Sequence, residues 1–141
     1  MFTRFAFLVL FFAAPVMAAD LDLAKDLATG KPGEFAEAEI RREAAAKGLA
    51  LGTGANATRI RLTAMKEGAP ESYSIRVKDD NGQREITVVG ADEVGAMYGG
   101  LDIAEAIRLG TLNSVKSSDN KPHIARRGIR SEERRVGKEC A

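Results

Sequence analysis

The chain has 141 residues, with 21 lysines and arginines against 20 aspartates and glutamates. Such a near-neutral balance has no basic surplus, so we expect no nucleic-acid partner. The only cysteine, Cys140, excludes an intramolecular disulfide. A chain of this length suits one small domain with a modest core.

Residues 1–19 have the three zones of a secretory signal peptide. Residues 1–4 carry one positive charge, residues 5–16 are apolar and uncharged, and small residues then precede Asp20. The alternative, a membrane anchor, needs about 20 apolar residues, and this run is shorter. We therefore expect residues 1–19 to be removed and the mature chain to be extracytoplasmic, either periplasmic or secreted, with no membrane partner.

Residues 130–141 have no helical or strand periodicity. Read back into codons, this stretch resembles the translation of a common sequencing-library adapter, so we expect a non-native tail; the alternative is a charged, solvated tail. Setting aside the five basic and three acidic residues of the two ends leaves 16 basic and 17 acidic residues. The part between them is thus still near neutral, and Cys140 falls outside it.

Residues 34–47 predict the first helix. Acidic residues dominate its first half and basic residues its second, an order that suits the helix dipole. Gly48 is a typical stop. A thin apolar stripe is predicted at Phe35, Ala38, Ala45 and Leu49.

Three strands are predicted next. Residues 58–62 alternate, with Ile60 and Leu62 inward, and residues 72–77 alternate with Tyr73, Ile75 and Val77 on one face. Asp80-Asn81-Gly82 is a hairpin signal, because these residues tolerate a positive φ. Residues 85–89 then form the partner strand.

A second helix is predicted from the cap residue Asp92 to Gly110. Its predicted apolar face consists of Val94, Met97, Tyr98, Leu101, Ala104 and Ile107. Gly95, Gly99 and Gly100 each cost roughly 1 kcal/mol against alanine within a helix. We expect Gly95 and Gly99 to allow close approach to the sheet, and Gly100, at a different angle, to be tolerant of alanine if its face is solvated.

These elements predict the α+β class for residues 20–110. The predicted unit is a three- to four-stranded sheet with a β-hairpin and two helices on one face. Residues 111–129 are predicted to be a polar linker from the α+β unit to the segment that follows it.

The segment 86–101 resembles the non-catalytic N-terminal domain of exported glycoside hydrolases such as β-N-acetylhexosaminidases and α-glucuronidases. The matching features are the strand that ends in Gly90-Ala91-Asp92 and the helical Gly95, Tyr98 and Gly99. The resemblance extends over about residues 31–129. It implies that a (β/α)₈ barrel follows, whose start resembles Arg127-Gly128-Ile129.

The same resemblance implies a role for one residue. In the hexosaminidase relatives the arginine at this position binds sugar hydroxyls, so Arg127 is the expected substrate-binding residue, effective only in a complete parent protein. The expected partner is therefore a carbohydrate, bound through the missing catalytic domain. No cofactor is implied.

Other candidate residues have plainer interpretations. Hexosaminidases use an adjacent Asp-Glu pair in catalysis, but Asp92-Glu93 opens a helix, where capping explains it. Asp79-Asp80 lies in a turn. His123 is the only histidine, which excludes a multi-histidine metal site, so no metal ligands and no catalytic residues are assigned.

Two short motifs carry little information. Gly52-Thr53-Gly54 lacks the Lys-Ser/Thr of a phosphate loop. Asn56-Ala57-Thr58 is a glycosylation sequon, relevant only in a eukaryotic secretory route.

The sequence therefore leaves two candidate functions. The first is the non-catalytic accessory domain of a truncated, secreted glycoside hydrolase. The second is a free-standing extracytoplasmic α+β module that binds a glycan or a protein.

Overall fold

The computed structural model describes residues 20–122. The strands are β1 (Leu21–Lys25), β2 (Thr58–Ala64), β3 (Tyr73–Asp80), β4 (Gln83–Gly90) and β5 (Ser118–Asn120), and the helices are α1 (Gly30–Ala46) and α2 (Glu93–Leu109). The strands form one sheet in the order β1-β2-β4-β3-β5. β1, β2 and β4 are parallel, and β3 is antiparallel to both of its neighbours. The predicted α+β class is confirmed, with a somewhat larger sheet than expected.

Both helices cover the same face of the sheet. The predicted inward residues Ile60, Leu62 and Ile75 are buried, and Tyr73 and Val77 pack half-buried against the core. The buried core also includes Leu21, Ala36, Ile40, Ala44, Ile86, Val88, Ile103, Ala104 and Ile107. This single core explains why the apolar residues alternate along each long strand.

The apolar stripe predicted for α1 is wrong within the helix; of its four residues only Leu49, which follows the helix, packs against the core. Phe35 is 52% exposed, and Ala38 and Ala45 are exposed, whereas the buried side consists of small residues together with Ile40. The physical reason is close contact with α2, which only small side chains permit on that side. The predicted stop at Gly48 holds, since its φ is +70°.

Helix α2 is fixed at both ends as predicted. Asp92 is its N-cap, and Gly110 ends it in the left-handed conformation with φ +71°. Its buried side is rotated from the prediction, because Val94, Tyr98 and Leu101 are half-exposed while Ala104 and Ile107 are buried.

Three glycines of α2 lie in close contacts. A Cβ on Gly95 would collide with the carbonyl oxygen of Ser72, and one on Gly99 would lie 2.8 Å from Cδ2 of Tyr73. Both agree with the predicted approach to the sheet. The condition set for Gly100, a solvated face, is not met: Gly100 is buried, and a Cβ on it would lie 2.7 Å from Cβ of Ala36 in α1.

The hairpin turn between β3 and β4 forms at the predicted site, with φ values of +48° at Asn81 and +83° at Gly82. Two strands were not predicted. β1 lies within the predicted α+β unit but at a place where no element was predicted, and β5 lies in the stretch predicted as linker. β5 is short and polar, so neither hydrophobic alternation nor composition marks it as a strand.

Candidate functional site

The junction between β4 and α2 is organised by Asp92. One carboxylate oxygen accepts a hydrogen bond from the backbone N of Gly95 at 2.7 Å, and the other accepts from the backbone N of Glu71 at 2.8 Å. The first bond caps the helix, as predicted. The second ties the helix start to the segment that enters β3. Both oxygens are thus occupied by backbone donors.

Glu93 has a different neighbour. Its carboxylate lies against Gly30, the first residue of α1, with Oε1 3.1 Å from the position of a Cβ on that glycine. A carboxylate at a helix N-terminus is stabilised by the helix dipole. The Asp92 carboxylate therefore lies at the start of α2 and the Glu93 carboxylate at the start of α1, and the two do not face each other across a cleft.

A shallow groove follows the ends of β2 and β4. We call it the strand-end groove; it has a volume of about 530 Å³, and its lining includes Met65, Ser72, Ser74, Asn120 and Lys121. Met65 is 62% exposed at its rim. Glu67 and Asp119 add carboxylates to these hydroxyl, amide and ammonium groups, and such a lining is the chemistry of a site for a polar, hydroxyl-rich ligand.

A second groove runs between β3 and the outer side of α2. We call it the helix groove; its volume is about 450 Å³, and it is lined by Glu71, Tyr73, Tyr98, Leu101, Asp102, Asn120, Lys121 and Pro122. Tyr73 borders both grooves.

The Tyr73 hydroxyl donates a hydrogen bond to the Asp102 carboxylate. Burial of the ring, and then this carboxylate, raise the pKa of Tyr73 well above its usual value. Tyr73 therefore stays protonated and acts as a fixed donor. No local pattern could have found this contact, since its two residues are far apart in sequence and lie on different elements.

The face of the sheet opposite the helices is polar and carries ion pairs. Arg61 contacts Glu85 at 3.0 Å, and Arg76 contacts Asp119 at 2.5 Å. Because these pairs are exposed, each contributes little stability.

The remaining predicted residues lie elsewhere. Asp79 and Asp80 were predicted in a turn, but they are the last two residues of β3, and Asp79 pairs with Arg84 of β4 at 3.1 Å. The Gly52–Gly54 segment lies in the connection between α1 and β2, and Asn56 is exposed in the following turn. His123, Arg127 and Cys140 lie outside the described residues.

Between residues 20 and 122, no group of three or more His, Cys, Asp or Glu side chains is placed to hold a metal ion. Within the same range, neither helix combines the length and the apolar character that a bilayer span requires.

Comparison with solved structures finds several chains of similar fold. The fold is similar to part of a GH138 enzyme targeting pectin rhamnogalacturonan II, with a TM-score of 0.58 and 20% sequence identity. The match covers 72% of this chain but only 12% of that enzyme. No protein-family model and no curated protein matches this chain. At this identity the likeness shows a shared fold.

Proposed function

We propose that this chain is the N-terminal accessory domain of an exported glycoside hydrolase and does not itself catalyse hydrolysis. The observation that carries the proposal is the fold likeness, because this chain corresponds to a small part of a much longer carbohydrate-active enzyme. A domain of this size occupies a small part of such an enzyme, so most of the enzyme's residues remain for the catalytic unit.

The residues behind the family resemblance support a structural role. Gly90 ends β4 where a side chain would collide with Ala96, Asp92 caps α2, and Gly95 and Gly99 let that helix lie on the sheet. Each is accounted for by the strand–helix junction. The resemblance to the accessory domain therefore has a physical basis in packing and capping.

The placement of the acidic residues supports the absence of catalysis. A glycosidase needs two carboxyl groups that flank the scissile bond, about 5 Å apart in retaining enzymes and about 6.5–9.5 Å in inverting ones. Asp92 uses both oxygens to hold backbone amides. A group held in this way is poorly suited to exchange a proton with a substrate.

Export and substrate binding complete the proposal. Residues 1–19 direct the chain out of the cytoplasm. In a complete parent, Arg127 binds sugar hydroxyls at the start of the catalytic barrel. The substrate of the parent is a carbohydrate. The parent's own catalytic residues would identify the specific hydrolase family.

The purified mature chain tests this directly. We expect no turnover of aryl β-N-acetylglucosaminides, aldouronic acids or rhamnogalacturonan II fragments. Turnover that disappears in both Asp92→Asn and Glu93→Gln would overturn the accessory assignment. Turnover that is unchanged in both would point to a contaminating enzyme, and a second purification through a different tag would then have to remove it.

The alternative is a free-standing glycan- or protein-binding module, favoured by the strand-end groove. Affinity electrophoresis through gels containing rhamnogalacturonan II or chitin oligosaccharides measures this. Retardation that is lost in Asn120→Ala but kept in Asn113→Ala, outside the groove, would support a binding module. Equal migration of all three chains would exclude a glycan in this groove.

A further inference from the structure

Another pocket lies on the open face of the sheet, beside the turn between β3 and β4. We call it the hairpin pocket; it has a volume of about 400 Å³, and its lining includes Arg59, Lys78, Asp80, Gln83 and Glu85. Positions that alternate with these, such as Ile60 and Ile86, are buried in the core. The five polar side chains therefore lie on the face that the helices leave uncovered.

The two cations of the hairpin pocket have little or no internal pairing. Arg59 of β2 and Lys78 of β3 both lie opposite Glu85 of β4 in the strand register, so they flank it on either side. The Glu85 carboxylate, however, contacts Arg61 at 3.0 Å. Arg59 reaches Asp22 only at 3.8 Å, and within residues 20–122 Lys78 has no ion pair. Two positive groups on neighbouring sides of one strand are thus open to an anion.

The pocket also contains a neutral donor without a partner. The Nε2 atom of Gln83 is buried, and no group within residues 20–122 accepts a hydrogen bond from it. An unpaired buried amide is unfavourable, so this atom indicates an acceptor that the described chain does not supply. Asp80 lies opposite Gln83 in the register and adds a carboxylate acceptor to the same pocket.

We propose that the hairpin pocket binds an acidic sugar, namely one uronic acid residue of a glycan. The sugar carboxylate binds Arg59 and Lys78 through charge-assisted hydrogen bonds. One ring hydroxyl accepts from the Gln83 amide, and another donates to Asp80. The choice of a sugar as the ligand rests on the proposed function, whereas the pairing state of these side chains does not depend on it.

Titration of the isotope-labelled mature chain with trigalacturonic acid, followed by two-dimensional NMR, tests the proposal. The side-chain amide of Gln83 reports directly on the pocket, and we expect its resonance to shift as the ligand is added. Galactotriose, which lacks the carboxylates, should cause no comparable shift. Added salt should weaken the binding of trigalacturonic acid, because exposed charges are screened.

Two substitutions assign the binding to this pocket. Lys78→Gln removes one cation and should raise the dissociation constant on the order of tenfold, the scale of one charge-assisted hydrogen bond. Gln83→Leu keeps a side chain of similar size without the amide and should also raise it. Lys66→Gln is the matched control, since it removes the same charge beyond the end of β2, away from the hairpin turn, and should leave the dissociation constant unchanged.

Three results would overturn the proposal. The first is no binding of trigalacturonic acid, and the second is equal binding of galactotriose, which would make the ligand a neutral glycan. The third is an equal loss of affinity in Lys78→Gln and Lys66→Gln, which would indicate a general attraction to the charge of the chain. Each would leave the proposed function intact, because that function is tested by turnover and by the sequence of the parent.

Discussion

Replacing Gly100 in α2 by alanine sets two effects of known size against each other. Alanine improves helix propensity by up to about 1 kcal/mol. However, the added Cβ would lie 2.7 Å from Cβ of Ala36 and 3.4 Å from Cδ1 of Leu62. The Ala36 methyl cannot rotate away, so α1 itself must move. Overpacking of this kind costs typically 1–3 kcal/mol.

The packing cost should therefore exceed the propensity gain. We expect Gly100→Ala to lower the free energy of unfolding by up to about 2 kcal/mol, the difference between these two terms. Urea denaturation measures this. The variant Ala38→Gly, at an exposed position of α1, measures the difference in helix propensity between alanine and glycine within the same protein.

The double variant Gly100→Ala, Ala36→Gly provides the sharper test, because it removes the methyl that the new Cβ meets. It should be more stable than the sum of the two single changes predicts. If Gly100→Ala raises the urea midpoint, the close contact between the two helices does not limit their packing and the reasoning is refuted.

Two further predictions concern the polar contacts of Asp92 and of Tyr73. Asp92→Ala removes the acceptor for the amides of Gly95 and Glu71 and should cost roughly 2 kcal/mol by urea denaturation, whereas Asp119→Ala, an exposed control, should cost far less. Tyr73 should ionise well above the ordinary tyrosine value of about 10 in a spectrophotometric titration, and Asp102→Asn should lower its pKa. Because neutral Tyr73 is favoured in the folded protein, its contribution to stability is complete below pH of about 10 and is lost as pH rises through the higher value. An ordinary pKa for Tyr73 in the folded chain would contradict its contact with Asp102.

The local elements of this fold were largely predictable from the sequence. The alternation in β2 and β3, the Asn81-Gly82 turn and the Asp92 cap each depend on a few neighbouring residues. Their physical causes are local, namely steric limits on the backbone and unsatisfied amides at a helix start. The close approach of Gly95 and Gly99 could be predicted for the same reason, since only a contact could offset their cost.

The buried side of each helix could not be predicted, because it depends on the element against which the helix packs. α1 and α2 each have two apolar sides, and the side that becomes buried is decided by how closely the two helices approach. That approach places Ala36 against Gly100 and leaves Phe35 and Tyr98 outward. The contact between Tyr73 and Asp102 likewise arises only when α2 lies on β3. The short strand β5 is stabilised by its pairing with β3 and has no signal of its own.

The measurement that tests the proposed function most directly is the genomic DNA sequence across codon 130 in the source organism. The account predicts an open frame that departs from residues 130–141 and continues into a (β/α)₈ barrel with a pair of catalytic carboxylates. A genomic sequence that encodes residues 130–141 and then a stop codon would contradict it, and would leave a free-standing binding module as the function of this chain.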